Sequence, residues 1–482
     1  MTYEELQVLC QRQYAELSRQ QAQLHQQQIQ LQDQQTRLQQ QTVHIEELSD
    51  TIKVLKELLN RNSNNSSSPP SLSRGYKRKD KKGRINKMRK KRLVNKGLRR
   101  FPHERVSRFH DHRPEKCSSC GSFDLTNGFI KSSHQTVDIP PITPIIEEHR
   151  RWCCRCRDCG NDSLGKFPNH LSRKTYGPNI RTWIVLLATK GNVTIRKAIA
   201  ILQELLGAEI SLGTSINIAN HFSRVVEAPY QHLMDEVKVS DLCYADETGW
   251  YERNKKCWLW QCATPKVVGF MVALRRNAQA ARNLLGDLRD RILVTDRWEP
   301  YDRVAGQRQY CFAHLIRNFR AVEERGREDG ILGGLLRAAV QSLCHERTLW
   351  KVGELSWDVF MAKVDKIKQA LRETLTIGQQ TAFCAKTKRL CTRLLKEFDH
   401  LWVFTRDQRV ELTNNESERN LRAVVLKRKV SLGSQSASGS DFIARAYSIM
   451  ATLAKRGFSF AQYVRNLFTT VMAGGIAPPL PV

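Results

Sequence analysis

Two short apolar segments of this chain, each with the character of a buried strand, run directly into an aspartate. Leu242 to Ala245 precedes Asp246, and a second apolar stretch fifty residues later ends at Asp296. A carboxylate at the tip of a buried strand is costly unless it is paired, hydrogen-bonded or bound to a metal. We therefore expect a fold in which these strands support an acidic site.

The segments around the two aspartates predict a mixed sheet. Beyond Asp246, strands are predicted at 257–263 and 267–274, a helix at 278–288, a strand at 290–296, a helix near 301–305 and a strand at 309–314, which includes His314. Their near-continuous apolar runs are typical of strands buried on both faces. Three consecutive strands followed by alternating helix and strand favour a ribonuclease-H-like domain, in which the ends of the first and fourth strands meet.

A third carboxylate is expected after a long helical insertion. Helical patterns occupy about 100 residues after His314, including 335–343, 357–371 and 387–401. They lead to Thr413-Asn-Asn-Glu416-Ser-Glu418. Thr413 and Glu416 have the spacing of a capping box, which gives Glu416 a structural role. Glu418 is therefore the preferred third carboxylate, and Glu416 is the alternative.

Three clustered carboxylates favour a divalent cation. Without a metal they would repel one another and raise their own pKa values. Their hard oxygen atoms suit Mg²⁺ or Mn²⁺. Two such ions about 3.5–4 Å apart can activate an attacking oxygen and stabilise a leaving one in phosphoryl transfer. The alternative is that the three residues form no site: Asp246 would be a turn residue at a strand end, and Asp296 and Glu418 would be surface acids.

The charge balance indicates a polyanionic partner. The chain has 78 Lys and Arg against 48 Asp and Glu, a formal net charge of +30. Such an excess favours nucleic acid before a membrane surface. No apolar run approaches the roughly 20 residues of a membrane span, and the N-terminus lacks a secretory signal. With its cysteines clustered, the chain is expected in a reducing, cytoplasmic compartment.

The first sixty residues carry a heptad pattern. Apolar residues recur every seven positions, at Leu17, Leu24, Leu31, Leu38, Ile45, Ile52 and Leu59. This spacing predicts a leucine-zipper coiled coil and a homo-oligomer. The companion seam is polar, however, and a disordered Gln-rich tract is the alternative. A Ser/Asn/Pro linker follows, and then a basic tract from Lys77 to Arg100, which could neutralise phosphates or be a solvated tail.

Two C-x2-C-G pairs predict a structural zinc. Cys117 and Cys120 form one pair, and Cys156 and Cys159 form the other. Four thiolates suit tetrahedral Zn²⁺, so a zinc ribbon is expected over 101–165. Cys153-x2-Cys156 is an alternative second pair, and Cys154 is close enough to compete.

Residues 170–236 are predicted to be helical. One helix starts at Tyr176-Gly-Pro178, a second is capped by Thr194, and a third covers Ile216 to Val226. A helix, a glycine turn and another helix fit a helix-turn-helix DNA reader. The alternative is a helical support for the next domain.

Several motifs together resemble bacterial insertion-sequence transposases of the DDE class, in the branch called insertion sequence sixty-six. They are the heptads, RNSNNSSSPPS, the two cysteine knuckles, DETGW at Asp246, NNESER at Glu418 and RAYSIMATLAKRGFSFAQYV near the C-terminus. The resemblance implies a catalytic triad of Asp246, Asp296 and Glu418. Family members often have Gly-Tyr after the second aspartate, where this chain has Arg297-Trp298. Cys311-x2-His314 resembles a signature of several DDE groups, with a role in the site or in the core.

The resulting prediction is a multidomain α+β DNA transposase. Its expected parts are a coiled coil at 1–60, a linker and basic tract at 61–100, a zinc ribbon at 101–165, a helical DNA-binding domain at 170–236, a ribonuclease-H-like domain at 237–470 with a helical insertion at about 320–410, and a tail at 471–482. It would bind terminal repeats and target DNA, and no membrane partner is expected. Accessory proteins encoded by the element would be further partners, as the resemblance implies. The alternatives are a nuclease without joining activity and a zinc/helix-turn-helix regulator.

Basic and aromatic residues near the acids have predicted roles in DNA binding. The candidates for phosphate contacts are Arg419, Arg422, Lys427, Arg428 and Lys429. Trp250 and Trp298 could stack on a base, with core packing as the alternative for each.

Overall fold

The computed structural model describes residues 16–17, 19–20, 23–45, 100–126, 128–140, 142–167 and 175–482. It is a mixed α+β structure. The described residues form two compact units, one within 77–169 and 196–212, and the other within 1–76, 170–195 and 213–482. None of the helices in these described ranges combines the length and apolar character needed to cross a membrane.

The smaller unit contains the cysteine pairs and, apart from nearly all of the helix Ile195–Leu206, little regular structure. A short 3-10 helix covers His103–Arg105, and strands β1 (Cys153–Arg155) and β2 (Asp162–Leu164) pair antiparallel. Each cysteine knuckle is closed by the glycine that follows it. Gly121 N donates to Cys117 O at 2.9 Å, and Gly160 N donates to Cys156 O at 3.0 Å. Both glycines have positive φ, +73° and +69°, which a residue without Cβ adopts without strain.

The larger unit is built on a five-stranded sheet with the order β5-β4-β3-β6-β7. The strands are β3 (Leu242–Glu252), β4 (Lys255–Ala263), β5 (Val268–Ala273), β6 (Leu288–Thr295) and β7 (Ala305–Tyr310). Strands β3 to β5 form an antiparallel meander, whereas β6 lies parallel to β3 and to β7. Three antiparallel strands followed by parallel ones match the predicted strand order.

Helices precede, cover and interrupt the sheet. Those before and within its first half are α1 (Pro178–Ala188), α2 (Ile195–Leu206), α3 (Leu212–Val225), α4 (Glu227–Val239) and α5 (Ala278–Leu285). After the sheet come α6 (Phe312–Glu323), α7 (Arg327–Lys351), α8 (Trp357–Thr381), α9 (Ala385–Lys396), α10 (Asn415–Ser431), α11 (Ala437–Lys455) and α12 (Phe460–Met472). Short 3-10 helices cover Glu299–Arg303, Phe398–Leu401 and Val403–Thr405. Most residues between β7 and Lys396 are therefore helical, as the sequence pattern predicted.

Different helices pack against the sheet and cover its β5 edge. Leu233 of α4 and Leu284 of α5 belong to a buried cluster with Trp260 and Leu293 of the sheet. Helix α11 provides hydrogen-bond acceptors for the outer backbone N–H groups of edge strand β5. Val268 N and Phe270 N donate to hydroxyls of α11 at 2.9 and 2.8 Å. These hydroxyls cover an edge that could otherwise pair with another chain.

Two boundaries around the acidic site differ from expectation. Strand β3 does not end at Asp246 but continues to Glu252, and the chain turns at Arg253 and Asn254, which have φ of 48° and 62°. Positive φ at two central residues suits a tight hairpin, so the expectation that this strand ends at Asp246 is wrong. The strand predicted at 309–314 is also wrong in part, because β7 ends at Tyr310 and His314 lies in the first turn of α6.

The N-terminal prediction is only partly covered. Residues 23–45 are helical, and Leu24, Leu31, Leu38 and Ile45 are all more than half exposed. The helix is confirmed there, whereas pairing of two such helices stays a prediction. Ile52, Leu59, the whole linker and the basic tract up to residue 99 lie outside the described residues.

Candidate active site

Asp246 lies within β3, and Asp296 directly follows β6, the parallel neighbour of β3. In the β3–β6 ladder Leu242 is level with Ile292 and Tyr244 with Val294, so each aspartate comes two residues after the last pair of this ladder. Asp246 accepts a hydrogen bond from its neighbour's backbone, Glu247 N, at 2.9 Å. Asp296 accepts one from Trp298 N at 3.0 Å. Both carboxylates are thus oriented by the backbone that immediately follows them.

Helix α10 brings Glu418 to the same place. Its N-cap residue, Asn414, is fully buried and donates from Nδ2 to Ala245 O at 2.7 Å. Ser417 is also fully buried and donates to Tyr244 O at 2.7 Å. These two bonds fix the first turn of the helix against the strand just before Asp246. Glu418 is the next residue along, and its Oε1 accepts from Arg317 Nη2 at 3.0 Å.

The electrostatics show that the three acids share one environment. Burial raises the pKa of Asp246 well above its usual range. The negative charges of Glu247, Asp296 and Glu418 raise it further. A cluster of carboxylates stays ionised only when positive charge compensates it. Strongly shifted pKa values of this kind are typical of functional sites.

The donor set fits a divalent cation. Three carboxylates supply hard oxygen ligands of the type preferred by Mg²⁺ and Mn²⁺. Gln261 lies directly opposite Asp246 in the β3–β4 ladder, so both side chains are on the same face of the sheet. Its amide is fully buried, and neither its nitrogen nor its oxygen has a hydrogen-bond partner among the described residues. A hydrated cation beside Asp246 would give this amide a partner.

Cys311 and His314 lie beside Glu418. Their ligand atoms and a Glu418 oxygen are all within 4.8 Å of one another. The Cys311 thiol has its pKa raised to about 11 by burial, and its sulfur accepts from Asn414 N at 3.1 Å. Burial and Arg317 lower the pKa of His314, which favours the neutral ring. Cys311 therefore supports the helix N-terminus, and His314 faces the acids as an uncharged group.

Glu416 has a different partner. It forms an ion pair with Lys455 of α11 and is directed away from the arginine that holds Glu418. The capping box is wrong, because the helix begins after Asn414 and Thr413 does not cap it. The two glutamates are therefore separated by their contacts.

Of the five basic residues predicted to contact phosphates, the structure contradicts Lys427. Its side chain is 5% exposed, and Nζ donates to Val193 O at 2.7 Å. Burial lowers its pKa to about 8. Arg428 donates to Thr248 Oγ1 at 3.0 Å and to Gly249 O, so it fixes the strand after Asp246. The remaining three, Arg419, Arg422 and Lys429, are exposed.

Trp250 and Trp298 both pack against other side chains of the larger unit. Trp250 is fully buried, and its Nε1 donates to Ser434 Oγ at 3.1 Å, so it cannot stack on a base. Trp298 packs against Trp260 and Tyr301, with ring centroids 5.7 and 5.2 Å away.

A network under the site was not predicted from the sequence. Tyr301 donates to Glu247 Oε2 at 2.6 Å, and Arg276 Nε donates to Glu247 Oε1 at 2.6 Å. Arg308, which is 1% exposed, donates to Trp298 O at 3.0 Å and also to Asp296 O. The network holds the segment that carries Asp296. In the sequence, the only indication of this network is that a second acid, Glu247, directly follows Asp246 and would need a partner if buried.

The cysteine pairs are locally formed but are not gathered into one ligand set. Backbone N–H groups of each knuckle lower the pKa values of Cys117 and Cys156, which favours thiolates. Within the described ranges, the only group of three or more such ligands within 4.8 Å is Cys311, His314 and Glu418. Zinc binding by the four cysteines therefore stays a prediction.

Comparison with known proteins gives a family match across the site. The family model described as "Transposase IS66 family" matches residues 173–441, a range that contains all three acids. The chain is also 22% identical over 401 residues to a curated protein from Sinorhizobium fredii (strain NBRC 101917 / NGR234), "Uncharacterized protein y4qI". That match covers 75% of this chain and 72% of the relative.

Proposed function

The chain belongs to the IS66 family of transposases, and from this premise we propose that Asp246, Asp296 and Glu418 catalyse metal-dependent DNA cleavage and strand transfer. The observation that carries the proposal is their convergence. Asp296 directly follows the strand that pairs in parallel with the Asp246 strand, and the Glu418 helix is bonded to the residues just before Asp246. The strand order supports a ribonuclease-H-like domain for this chemistry.

The proposed reaction consists of two displacements at phosphorus. A water oxygen attacks a phosphodiester at the end of the element, the bond to the 3′ oxygen breaks, and a free 3′-hydroxyl is formed. That hydroxyl then attacks a phosphodiester of target DNA, so a new bond replaces the one that breaks. When bound, Mg²⁺ or Mn²⁺ would activate the attacking oxygen and stabilise the leaving one.

The residues of this chain have distinct parts in that reaction. The three carboxylates would hold the cations. Arg317 fixes one oxygen of Glu418, whereas Arg308 and Tyr301 hold the segment around Asp296. Neutral His314 could accept a proton near the acids, and its buried Nδ1 has no hydrogen-bond partner among the described residues.

The other parts of the chain have proposed roles that follow from their chemistry. We propose a structural Zn²⁺ on Cys117, Cys120, Cys156 and Cys159, supported by the lowered thiol pKa values. The exposed heptad leucines support self-association of the N-terminal helices. The helices of 178–225 would contribute to binding of terminal inverted repeats, with accessory proteins of the element as further partners. The site of action would be the bacterial cytoplasm, at the nucleoid.

A strand-transfer assay tests the proposal. Purified full-length protein, Mn²⁺ and DNA carrying the element's ends are expected to give cleaved and joined products. Asp246→Ala, Asp296→Ala and Glu418→Ala should each abolish both products, whereas Glu416→Ala should retain them. Cleavage without joining would identify a nuclease, and unchanged cleavage by Asp246→Ala would overturn the catalytic assignment. Binding without any chemistry would favour a DNA-binding regulator.

A further inference from the structure

A basic groove lies next to the candidate active site. It is a cavity of about 790 Å³ between α9 of the helical insertion and the segment that follows Asp296. Five basic side chains line it, namely Arg303, Lys388, Arg389, Arg393 and Lys396. We call this cavity the basic groove.

Four of the five cations come from one face of α9. Lys388, Arg389, Arg393 and Lys396 recur at intervals of one, four and three residues, which places them along one side of a helix. At about 1.5 Å per residue, Lys388 and Lys396 are about 12 Å apart along the helix axis. The groove therefore presents a row of positive charge and not a single point charge.

The acidic residues of the groove are already paired. Glu299 lies 3.8 Å from Arg303, and Glu397 accepts from Arg393 Nε at 3.1 Å. Asp302 forms an ion pair with Arg308 outside the groove lining. The acids consequently do not neutralise the lysines of α9.

Three cations remain available. Lys388, Arg389 and Lys396 are exposed, and none of them has an ion pair or hydrogen bond through its side chain with any described residue. An exposed unpaired lysine is ordinary by itself. Three of them directed into one cavity indicate a site for a polyanion.

The groove is continuous with the acidic site through the backbone. Arg393 Nη2 donates to Arg297 O at 3.4 Å, and Arg297 directly follows Asp296. Positive charge thus extends from the groove to the residue beside the carboxylates.

We propose that the basic groove binds the sugar–phosphate backbone of the DNA strand that leads away from the three carboxylates. The inference rests on the proposed function only for the identity of the polyanion as DNA. Duplex DNA carries one negative charge per about 1.7 Å of helix axis, so a row about 12 Å long faces several phosphates. The contacts are to backbone and carry no direct sequence information.

The test measures binding of a labelled duplex oligonucleotide by the full-length protein, with no divalent metal added. The variant replaces Lys388, Arg389 and Lys396 by Gln, which keeps helix propensity. The control replaces Lys266, Lys366 and Arg465 by Gln, because these exposed cations do not line the groove and their loss changes the net charge equally. Affinity is measured over a range of salt concentrations.

The groove variant should bind more weakly at every salt concentration. The slope of log affinity against log salt should decrease in magnitude by about 2 to 3, since each lost phosphate contact contributes about 0.9, and the control should keep the wild-type slope. Equal slopes for groove variant and control would overturn the inference. This binding test adds no divalent metal and measures no cleavage. The proposed function is decided separately, by the cleavage assay that compares wild type with Asp246→Ala.

Discussion

The hydroxyl of Ser417 donates a 2.7 Å hydrogen bond to the backbone carbonyl of Tyr244, across 173 residues of chain. Asn414 does the same for Ala245 O. Two buried polar side chains thus align the start of α10 with the part of β3 that precedes Asp246. This relationship explains how a long helical insertion can return Glu418 to the first strand of the sheet.

Loss of the Ser417 hydroxyl should reduce activity and stability together. Ser417→Ala leaves Tyr244 O without this buried donor, which costs about 1–3 kcal/mol in the free energy of unfolding. Cleavage should fall further than the folded fraction does, because Glu418 is no longer held in register. Denaturant unfolding and the cleavage assay check both effects. Ser431→Ala is the control, since that hydroxyl donates to Lys427 O within its own helix; equal losses in the two variants would contradict the positioning role.

Sequence alone could place the two aspartates but not the details around them. An apolar run before each of Asp246 and Asp296 predicts two buried strands, and the ribonuclease-H-like order of the elements predicts that the two aspartates come together. The extension of β3 past Asp246 was missed, since Thr248 and Gly249 favour turns locally. In the fold they pair with Leu259 and Trp258 of β4, and tertiary pairing overrides local preference.

Long-range contacts account for the other differences. Glu416 and Glu418 are chemically equivalent in the sequence and are separated only by their partners, Lys455 and Arg317. Lys427 looks like one more cation of a basic helix. Its burial depends on Val193, 234 residues earlier in the chain, and no local pattern reports such a contact.

Removal of the Tyr301 hydroxyl should impair cleavage through Asp296. Tyr301→Phe takes one of the two donors from buried Glu247 and loosens the segment that carries Asp296. We expect a stability loss of about 1 kcal/mol and a cleavage rate at saturating Mn²⁺ lowered by about tenfold, which corresponds to about 1.4 kcal/mol in the barrier. Tyr463→Phe is the control, because its hydroxyl donates to Pro478 O at 3.0 Å. A cleavage rate equal to that of the control would refute the coupling.

Asp246→Asn should stabilise the metal-free protein and abolish its response to metal. The folded protein raises the pKa of Asp246, so folding favours the protonated acid. Metal-free stability should therefore fall as pH rises from the unfolded pKa through the folded one. The amide has no such proton, so the variant should have the higher Tm at neutral pH. Mn²⁺ should raise the Tm of wild type and not of the variant.

Asp241→Asn is the control for this comparison. Its carboxylate is 60% exposed and pairs with Arg409 at the surface, 2.6 Å away. This control should keep the Mn²⁺-induced increase in Tm. An equal increase in Asp246→Asn would show that Asp246 does not hold the cation.

Buried Lys427 should make stability increase at alkaline pH. The folded protein lowers its pKa from 10.5 to about 8, so between these values the unfolded chain binds more protons. Stability then rises with pH across that interval, by about 3 kcal/mol in the ideal case. Lys427→Met should remove the increase, whereas exposed Lys429→Met should keep it. Denaturant unfolding between pH 8 and pH 10 measures both; a rising profile in Lys427→Met would assign the effect to another group.

Zinc content should depend on the four knuckle cysteines and not on their neighbours. Cys117→Ser and Cys156→Ser each remove a thiol whose pKa the knuckle backbone lowers, so metal analysis of the purified protein should show loss of Zn²⁺. Cys153→Ser and Cys154→Ser are the matched controls, since both lie in strand β1 beside the second knuckle. They should retain the metal.

The three carboxylates should be unaffected, and Mn²⁺ should still raise the Tm of the Cys117→Ser protein. Loss of zinc in Cys153→Ser with retention in Cys159→Ser would instead identify Cys153-x2-Cys156 as the second pair.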